Sequence, residues 1–312
     1  MMQMIYAHRG ASAYAPENTL EAFYIAAKMG ADGVELDVHV TKDGELVVAH
    51  DEEIDRVSDG SGLIQNMTLA QLRQFHFNKT HPEYVYATIP TLREVYELLK
   101  PMGLCVNTEL KTSIIRYDKI EEKCIALADE MGMTDRVLYS SFSFYSLTKL
   151  KSLDSRAKVG LLRLPLGTLN GRKLFDPWEF ASKHGLDAIH PHHSEFLIHQ
   201  EADKAHSLKM QVNVWTTNDD FIIRSCFKKG ADILIGDCPD RMLKIRNEIN
   251  EENARASETE MFSQEAQAEE ERQKAAKKAE AEAQAEKDRM AAIEKAQAEE
   301  IEKAAREALT QV

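Results

Sequence analysis

Ionisable residues interrupt four short apolar runs in the first 111 residues of the chain: His8-Arg9-Gly10, Glu35-Leu36-Asp37, His50-Asp51 and Glu109-Leu110-Lys111. Burying a carboxylate or an imidazole costs several kcal/mol unless it is paired or bound to a metal, so a chain that does this repeatedly is assembling an active site. Side chains alternate along a strand, which puts Glu35 and Asp37 on one face, opposed to Val34, Leu36 and Val38, and puts Glu109 on a face with Lys111. Three carboxylates meeting at one place repel by roughly 3 kcal/mol per pair at about 5 Å and an effective dielectric near 20. Either their pKa values rise or a divalent cation sits among them, and an all-oxygen set favours Mg2+ or Ca2+ over zinc. Two histidines beside a hard cation suit phosphoryl chemistry. One deprotonates an attacking hydroxyl and the other protonates the leaving alkoxide, while Arg9 and Lys111 neutralise phosphate oxygens. A histidine pair can supply both acid and base, because the two protonation states coexist near pH ~6.5. Any one of these positions alone reads as structural.

The elements that must hold these residues alternate between strand and helix. Strand-like runs occupy Ile5–His8, Val34–Val40, Leu104–Leu110, Val137–Ser141, Val159–Leu162, Ala188–His190, Gln211–Trp215 and Ile233–Ile235, with amphipathic stretches between them, Glu195–Leu208 among these. Eight strand–helix units imply a parallel sheet that closes into a (β/α)8 barrel, an α/β fold whose active site lies at the C-terminal ends of the strands. A doubly wound open sheet is the alternative, but no Gly-rich phosphate loop follows the first strand. One region departs from the alternation. Lys42-Asp43-Gly44 is a hairpin turn into Leu46–Ala49 and His50, and Glu52 to Thr88 reads as a polar insertion on the rim with a short helical piece, Thr68–Phe75.

Composition divides the chain into a barrel over residues 1–250 and a tail over 251–312. The formal net charge is −13, and the tail, with 17 acidic and 10 basic residues, holds −7 of it. That tail has 17 alanines and neither Gly nor Pro, and it reads as a solvated helix or a helix-biased disordered segment. Its large apolar residues, Met261, Phe262, Met290, Ile293, Ile301 and Leu309, keep no heptad register, so a coiled coil is disfavoured; self-association or partner binding through the tail stays open. An acidic surface argues against nucleic acid or an anionic membrane as partner. No run approaches the roughly 18 apolar residues of a membrane span, and no secretion signal precedes the first strand at about Met4. Cys105, Cys124, Cys226 and Cys238 lack metal-ligand spacing and read as free thiols, which points to a reducing compartment and a cytoplasmic protein.

The motifs taken together carry a resemblance. His8-Arg9-Gly10 with Pro16-Glu17-Asn18-Thr19, Glu35-Leu36-Asp37-Val38 with Thr41-Lys42-Asp43-Gly44, His50-Asp51, Asn107-Thr108-Glu109-Leu110-Lys111, Ser141-Phe142, Trp215-Thr216-Thr217-Asn218 and Gly236-Asp237-Cys238-Pro239-Asp240 resemble the signature of the glycerophosphodiester phosphodiesterase family. The resemblance covers about residues 3 to 248 and leaves the tail outside. It implies a TIM barrel and metal-dependent hydrolysis of glycerophosphodiesters to glycerol 3-phosphate and an alcohol. It implies His8 and His50 as the acid–base pair, Glu35, Asp37 and Glu109 as ligands of one divalent cation, Mg2+ or Ca2+, and Arg9 and Lys111 as residues near the phosphate. The choice of cation, the alcohol, and attack by water or by the substrate's neighbouring hydroxyl all stay open.

Other candidates have competing readings. Glu17, at the start of the first helix, reads as a helix-terminus carboxylate or a group standing behind the catalytic residues, and Asp51 as the group that orients His50 or its loop. Trp215 and Phe142 read equally as substrate-binding residues at the mouth or as core. His190, His192 and His193 read as rim residues rather than a metal cluster, His39 as structural, and Asp237 and Asp240 as helix caps. Two further functions compete with the hydrolase. Lysophospholipase D activity needs an apolar groove on the insertion, for which Phe75, Phe77, Tyr84 and Tyr86 are the candidates. An inactive scaffold using the tail is disfavoured by the intact motif set.

Overall fold

The alternation of apolar and chemistry-bearing residues becomes a closed barrel in the computed structural model, which describes residues 3–163, 176–199 and 201–309. Strands β1 (Met4–His8), β2 (Gly33–Val40), β4 (Cys105–Leu110), β5 (Val137–Ser141), β6 (Lys158–Arg163), β7 (Ala188–Pro191), β8 (Gln211–Val214) and β9 (Ile233–Gly236) pair in parallel, and β1 joins both β2 and β9 to close the ring. The short strand β3 (Leu46–Val48) hangs antiparallel on β2 through the Lys42–Gly44 turn. The (β/α)8 expectation therefore holds.

Local chemistry starts and stops the helices. Helix α1 (Leu20–Met29) is capped by Thr19, whose side chain accepts from Ala22 N, and it ends on Gly30 at φ 89°. Capping boxes open α2 (Leu69–Leu72), through Thr68 and Gln71, and α3 (Leu92–Leu99), through Thr91 and Glu94. Helices α4 (Ile120–Glu130), α5 (Phe144–Leu153), α6 (Pro177–Lys183), α7 (His193–His199), α8 (Glu201–Ser207) and α9 (Asp220–Lys228) complete the outer layer, and α10 spans Pro239–Leu309. The expected helix over Thr68–Phe75 is cut short. Its chain turns at Arg73 and brings the Phe75 ring against Gly60, where any Cβ would lie 2.5 Å from the ring. The stretch Glu195–Leu208 is two helices, with residue 200 outside the described residues.

Outward-facing Val34, Leu36, Val38 and Val106 join Ile5, Ala7, Phe23, Val95 and Tyr96 in the main core between strands and helices. The insertion has its own small core, made by Val47, Ala49, Ile54, Val57, Ile64, Leu72, Phe77 and Ile89. That core fixes a polar segment to the rim, because eight apolar side chains leave water there. The chain divides into two compact units, Met1–Ile249 and Asn250–Val312. In the second unit Met261, Phe262, Met290, Ile293 and Ile301 are all exposed. Among the described residues no helix is long and apolar enough to cross a membrane, and Cys105, Cys124, Cys226 and Cys238 are free thiols.

Candidate active site

Register brings the carboxylates together. Glu109 on β4 lies opposite Asp37 on β2, and Glu35 lies opposite both Asn107 on β4 and His8 on β1. The inward-facing oxygens of Glu35, Asp37 and Glu109 fall within 4.8 Å of one another, and all three residues are buried. Burial drives Glu35 well above the usual carboxylate range, helped by the charges of Asp37 and Glu109. Burial likewise pushes Glu109 up to about 7, against the pull of Lys111. Asp37 goes the other way. Burial opposes its charge, but Lys111, Arg9, His50 and the Asn18 amide outweigh burial and hold the carboxyl well below the usual range.

Those partners are specific. Lys111 Nζ donates to Glu109 Oε1 at 2.9 Å and stands 3.5 Å from Asp37 Oδ1. Asn18 Nδ2 donates to Asp37 Oδ2 at 2.9 Å from a left-handed backbone, φ 58°. Arg9, at φ 55°, turns its backbone N–H to Glu35 Oε2 at 3.1 Å and its guanidinium to Glu17 Oε1 at 2.9 Å. Asp37 Oδ1 and Asn107 Oδ1 are buried acceptors without a hydrogen bond. Three clustered carboxylates with an unused oxygen lone pair on Asp37 fit a hard divalent cation, which takes oxygen ligands of this kind.

Each histidine is held by a carboxylate at Nδ1. His50 Nδ1 meets Asp51 Oδ1 at 2.6 Å, and His8 Nδ1 meets Asp237 Oδ1 at 2.7 Å. Binding Nδ1–H to a carboxylate leaves Nε2 as the nitrogen that exchanges protons. Burial lowers the His50 pKa, with Arg9 and Lys111 adding to the effect against Asp37 and Asp51. Asp237 is a correction to the capping expectation. Its carboxylate also accepts from Asn218 Nδ2 at 2.5 Å, and although burial opposes its charge, His8 and Asn218 keep its pKa low. Asp240 accepts from Tyr14 Oη at 2.8 Å. Glu17 does not cap a helix either, since Thr19 does that; it takes Arg9 and two donors of Arg56.

A cavity of about 250 Å³ gathers the set. Its lining combines His8, Arg9, Glu35, His50, Asn107, Glu109 and Lys111 with Phe142, Leu162, Trp215 and Ile235. Trp215 Nε1 donates to His190 O at 2.8 Å, and the Phe142 and His192 rings meet the indole edge to face. His190 is not a rim residue. It is fully buried inside the barrel, its ring lies over Gly160 where a Cβ would come within 2.3 Å, and burial lowers its pKa to about 3. His39 is buried between Tyr117 Oη, 2.7 Å from Nδ1, and His50 O, 3.2 Å from Nε2, so it supports the backbone of His50. Of the aromatics offered for an insertion groove, Phe77 and Phe75 belong to the insertion's core and Tyr84 donates to Tyr14 O.

Sequence reasoning passed over Asn18, Arg56, Asn107 and Asp237 as site residues. Asn107 was within reach, because it shares the inward face of β4 with Glu109.

The family model for the Glycerophosphoryl diester phosphodiesterase family matches residues 8–241. The chain is 35% identical over 246 residues to a glycerophosphodiester phosphodiesterase of Caldanaerobacter subterraneus subsp. tengcongensis, an alignment covering 78% of this chain and 98% of the relative. It is 35% identical over 251 residues to one of Bacillus altitudinis, covering 80% of this chain and 100% of that one. Among solved structures, an Oleispira antarctica phosphodiesterase in complex with the product sn-glycerol-3-phosphate is similar at a TM-score of 0.67 and 29% identity, covering 79% of this chain and 97% of that chain.

Proposed function

Because the chain belongs to the glycerophosphoryl diester phosphodiesterase family, whose members are phosphoric diester hydrolases, we propose that it hydrolyses glycerophosphodiesters to glycerol 3-phosphate and an alcohol. The observation that carries this reading is a single cavity faced by two imidazoles, each with Nδ1 on a carboxylate, beside three clustered acids.

In this reading His8 and His50 divide the proton transfers. One imidazole takes the proton of the attacking hydroxyl as the new P–O bond forms. The other gives a proton to the alkoxide that leaves. Asp51 and Asp237 fix the tautomer, so that Nε2 of each ring does this work. Attack by water and attack by the substrate's own neighbouring hydroxyl use the same pair. Glu35, Asp37 and Glu109 would hold one divalent cation, Mg2+ or Ca2+, which when bound supplies charge stabilisation to the phosphoryl oxygens. Arg9 and Lys111 add fixed positive charge beside it, and Lys111 stays protonated because Asp37 and Glu109 outweigh the effect of burial. Phe142, Leu162 and Trp215 give the cavity an apolar wall suited to a carbon skeleton. The product bound to the Oleispira antarctica relative supports glycerol 3-phosphate as the group left here.

The test is release of glycerol 3-phosphate from glycerophosphocholine and related diesters. Turnover should vanish with chelator, return with Mg2+ or Ca2+, and fall by about 10²–10⁴ in His8→Ala and His50→Ala. Undiminished turnover in the double variant would reject the assigned roles.

A further inference from the structure

The geometry points to Arg56, on the insertion, as a positioning residue that sets both the His50 imidazole and the Arg9 guanidinium; the inference rests on the hydrolase reading above. Three donors of one guanidinium are used. Nε donates to Asp51 Oδ2 at 2.6 Å, Nη1 to Glu17 Oε2 at 2.7 Å and Nη2 to Glu17 Oε1 at 2.8 Å. The other oxygen of Asp51 holds His50 Nδ1, and Glu17 Oε1 also accepts from Arg9. One planar fork therefore fixes the two carboxylates that aim the cavity's histidine and arginine.

Arg56 is 44% exposed, and an isolated exposed ion pair contributes little. Two features set this one apart. Glu17 is only 13% exposed and is held through both its oxygens, a two-point geometry that a point charge cannot reproduce. Arg56 is also anchored from below, because Ile54 and Val57 are buried in the insertion's core and the backbone N–H of Ile54 donates to Gly62 O. The role is geometric rather than a matter of global stability. Without Arg56, Asp51 loses its second anchor and swings with its loop, and His50 swings with it. Misplacement of a reacting group by about 1 Å costs on the order of a hundredfold in rate. The polar insertion thereby becomes a working part of the site rather than a loop on its edge.

The test is a double-mutant cycle on glycerophosphocholine turnover. Arg56→Ala should lower kcat by roughly ten- to a hundredfold, with a smaller change in KM. Because Arg56 acts in part through Asp51, Arg56→Ala and Asp51→Ala together should cost clearly less in kcat than the product of their separate losses, the remainder passing through Glu17 and Arg9. Arg56→Lys should stay slow, and added methylguanidinium should restore part of kcat in Arg56→Ala but not in Asp51→Ala. Losses that multiply in the double variant, or kcat within twofold of the parent in Arg56→Ala, would overturn the inference. A readout independent of turnover is the hydrogen-bonded Nδ1 proton of His50 in the proton NMR spectrum, assigned by its loss in His50→Gln. It should broaden or disappear in Arg56→Ala, and if it persists unchanged the inference is wrong even where the parent shows no diesterase activity. Should Arg56→Ala fail to fold, Arg56→Gln carries the same comparisons.

Discussion

Replacing Glu109 by Gln should make the cation-free protein more stable above neutral pH, at the expense of cation binding. Glu109 is buried beside Asp37 and Glu35, and its carboxyl is pushed from 4.5 up to about 7. At about 1.4 kcal/mol for each tenfold change in proton affinity, this is roughly 3 kcal/mol of native-state penalty on the charged form. The native state holds this proton to higher pH than the unfolded chain does. The favourable contribution of the protonated group is therefore complete below about pH 4.5, is lost as pH rises towards 7, and stays lost above it. Glutamine carries no charge, keeps an oxygen for Lys111 Nζ, which sits 2.9 Å from Glu109 Oε1, and leaves Lys111 its second partner in Asp37. The stability difference between variant and parent should be small near pH 4.5 and reach about 3 kcal/mol in favour of Gln by pH 8. Urea unfolding in chelator at the two pH values measures it. Adding Mg2+ or Ca2+ should narrow or reverse the gap, because under the proposed function the parent would bind the ion in its native state and the variant would lose a ligand. A glutamine variant less stable than the parent at pH 8 in chelator, or parallel pH profiles for the two, would refute the reasoning.

Further outcomes follow from the geometry. Asp237→Asn keeps the shape at His8 but removes the carboxylate that sets its tautomer, so kcat should fall by at least about tenfold with little change in unfolding midpoint; an unchanged kcat would return Asp237 to a structural role. Trp215→Ala removes the face of the apolar wall and should raise KM for small diesters more than it lowers kcat, as steady-state kinetics will read. A chain ending at Asn250 should retain turnover, since the matched family region closes at residue 241. Its sedimentation compared with that of the full chain tests whether the tail drives self-association, and equal mass states would remove that idea.

The barrel was legible because its pattern is local. Glu35 and Asp37 alternate with Val34, Leu36 and Val38, and that two-residue period alone assigns the inward and outward faces of β2. The three acids were legible for the same reason, since register turns a shared face into a shared place. What stayed hidden depends on distant partners. Asp237 lies 229 residues from His8 and reaches it only because β9 pairs with β1. Whether His190 faces the rim or the interior turns on the glycine across the sheet, Gly160, which leaves room for its ring. Arg56 has no distinguishing neighbour in the sequence of the insertion, and its place between Glu17 and Asp51 appears only once the insertion is folded.

The closure of β1 against β9 has a bearing on when the protein can act. The aspartate that steadies His8 sits one residue beyond the last strand and 229 residues after the histidine, so a growing polypeptide carries that histidine long before its anchor is made. Until the final strand docks against the first, His8 lacks the Asp237 carboxylate that its Nδ1 meets in the closed barrel. In the proposed mechanism the proton transfers at His8 thus wait on completion of the ring, which a prematurely terminated chain does not reach.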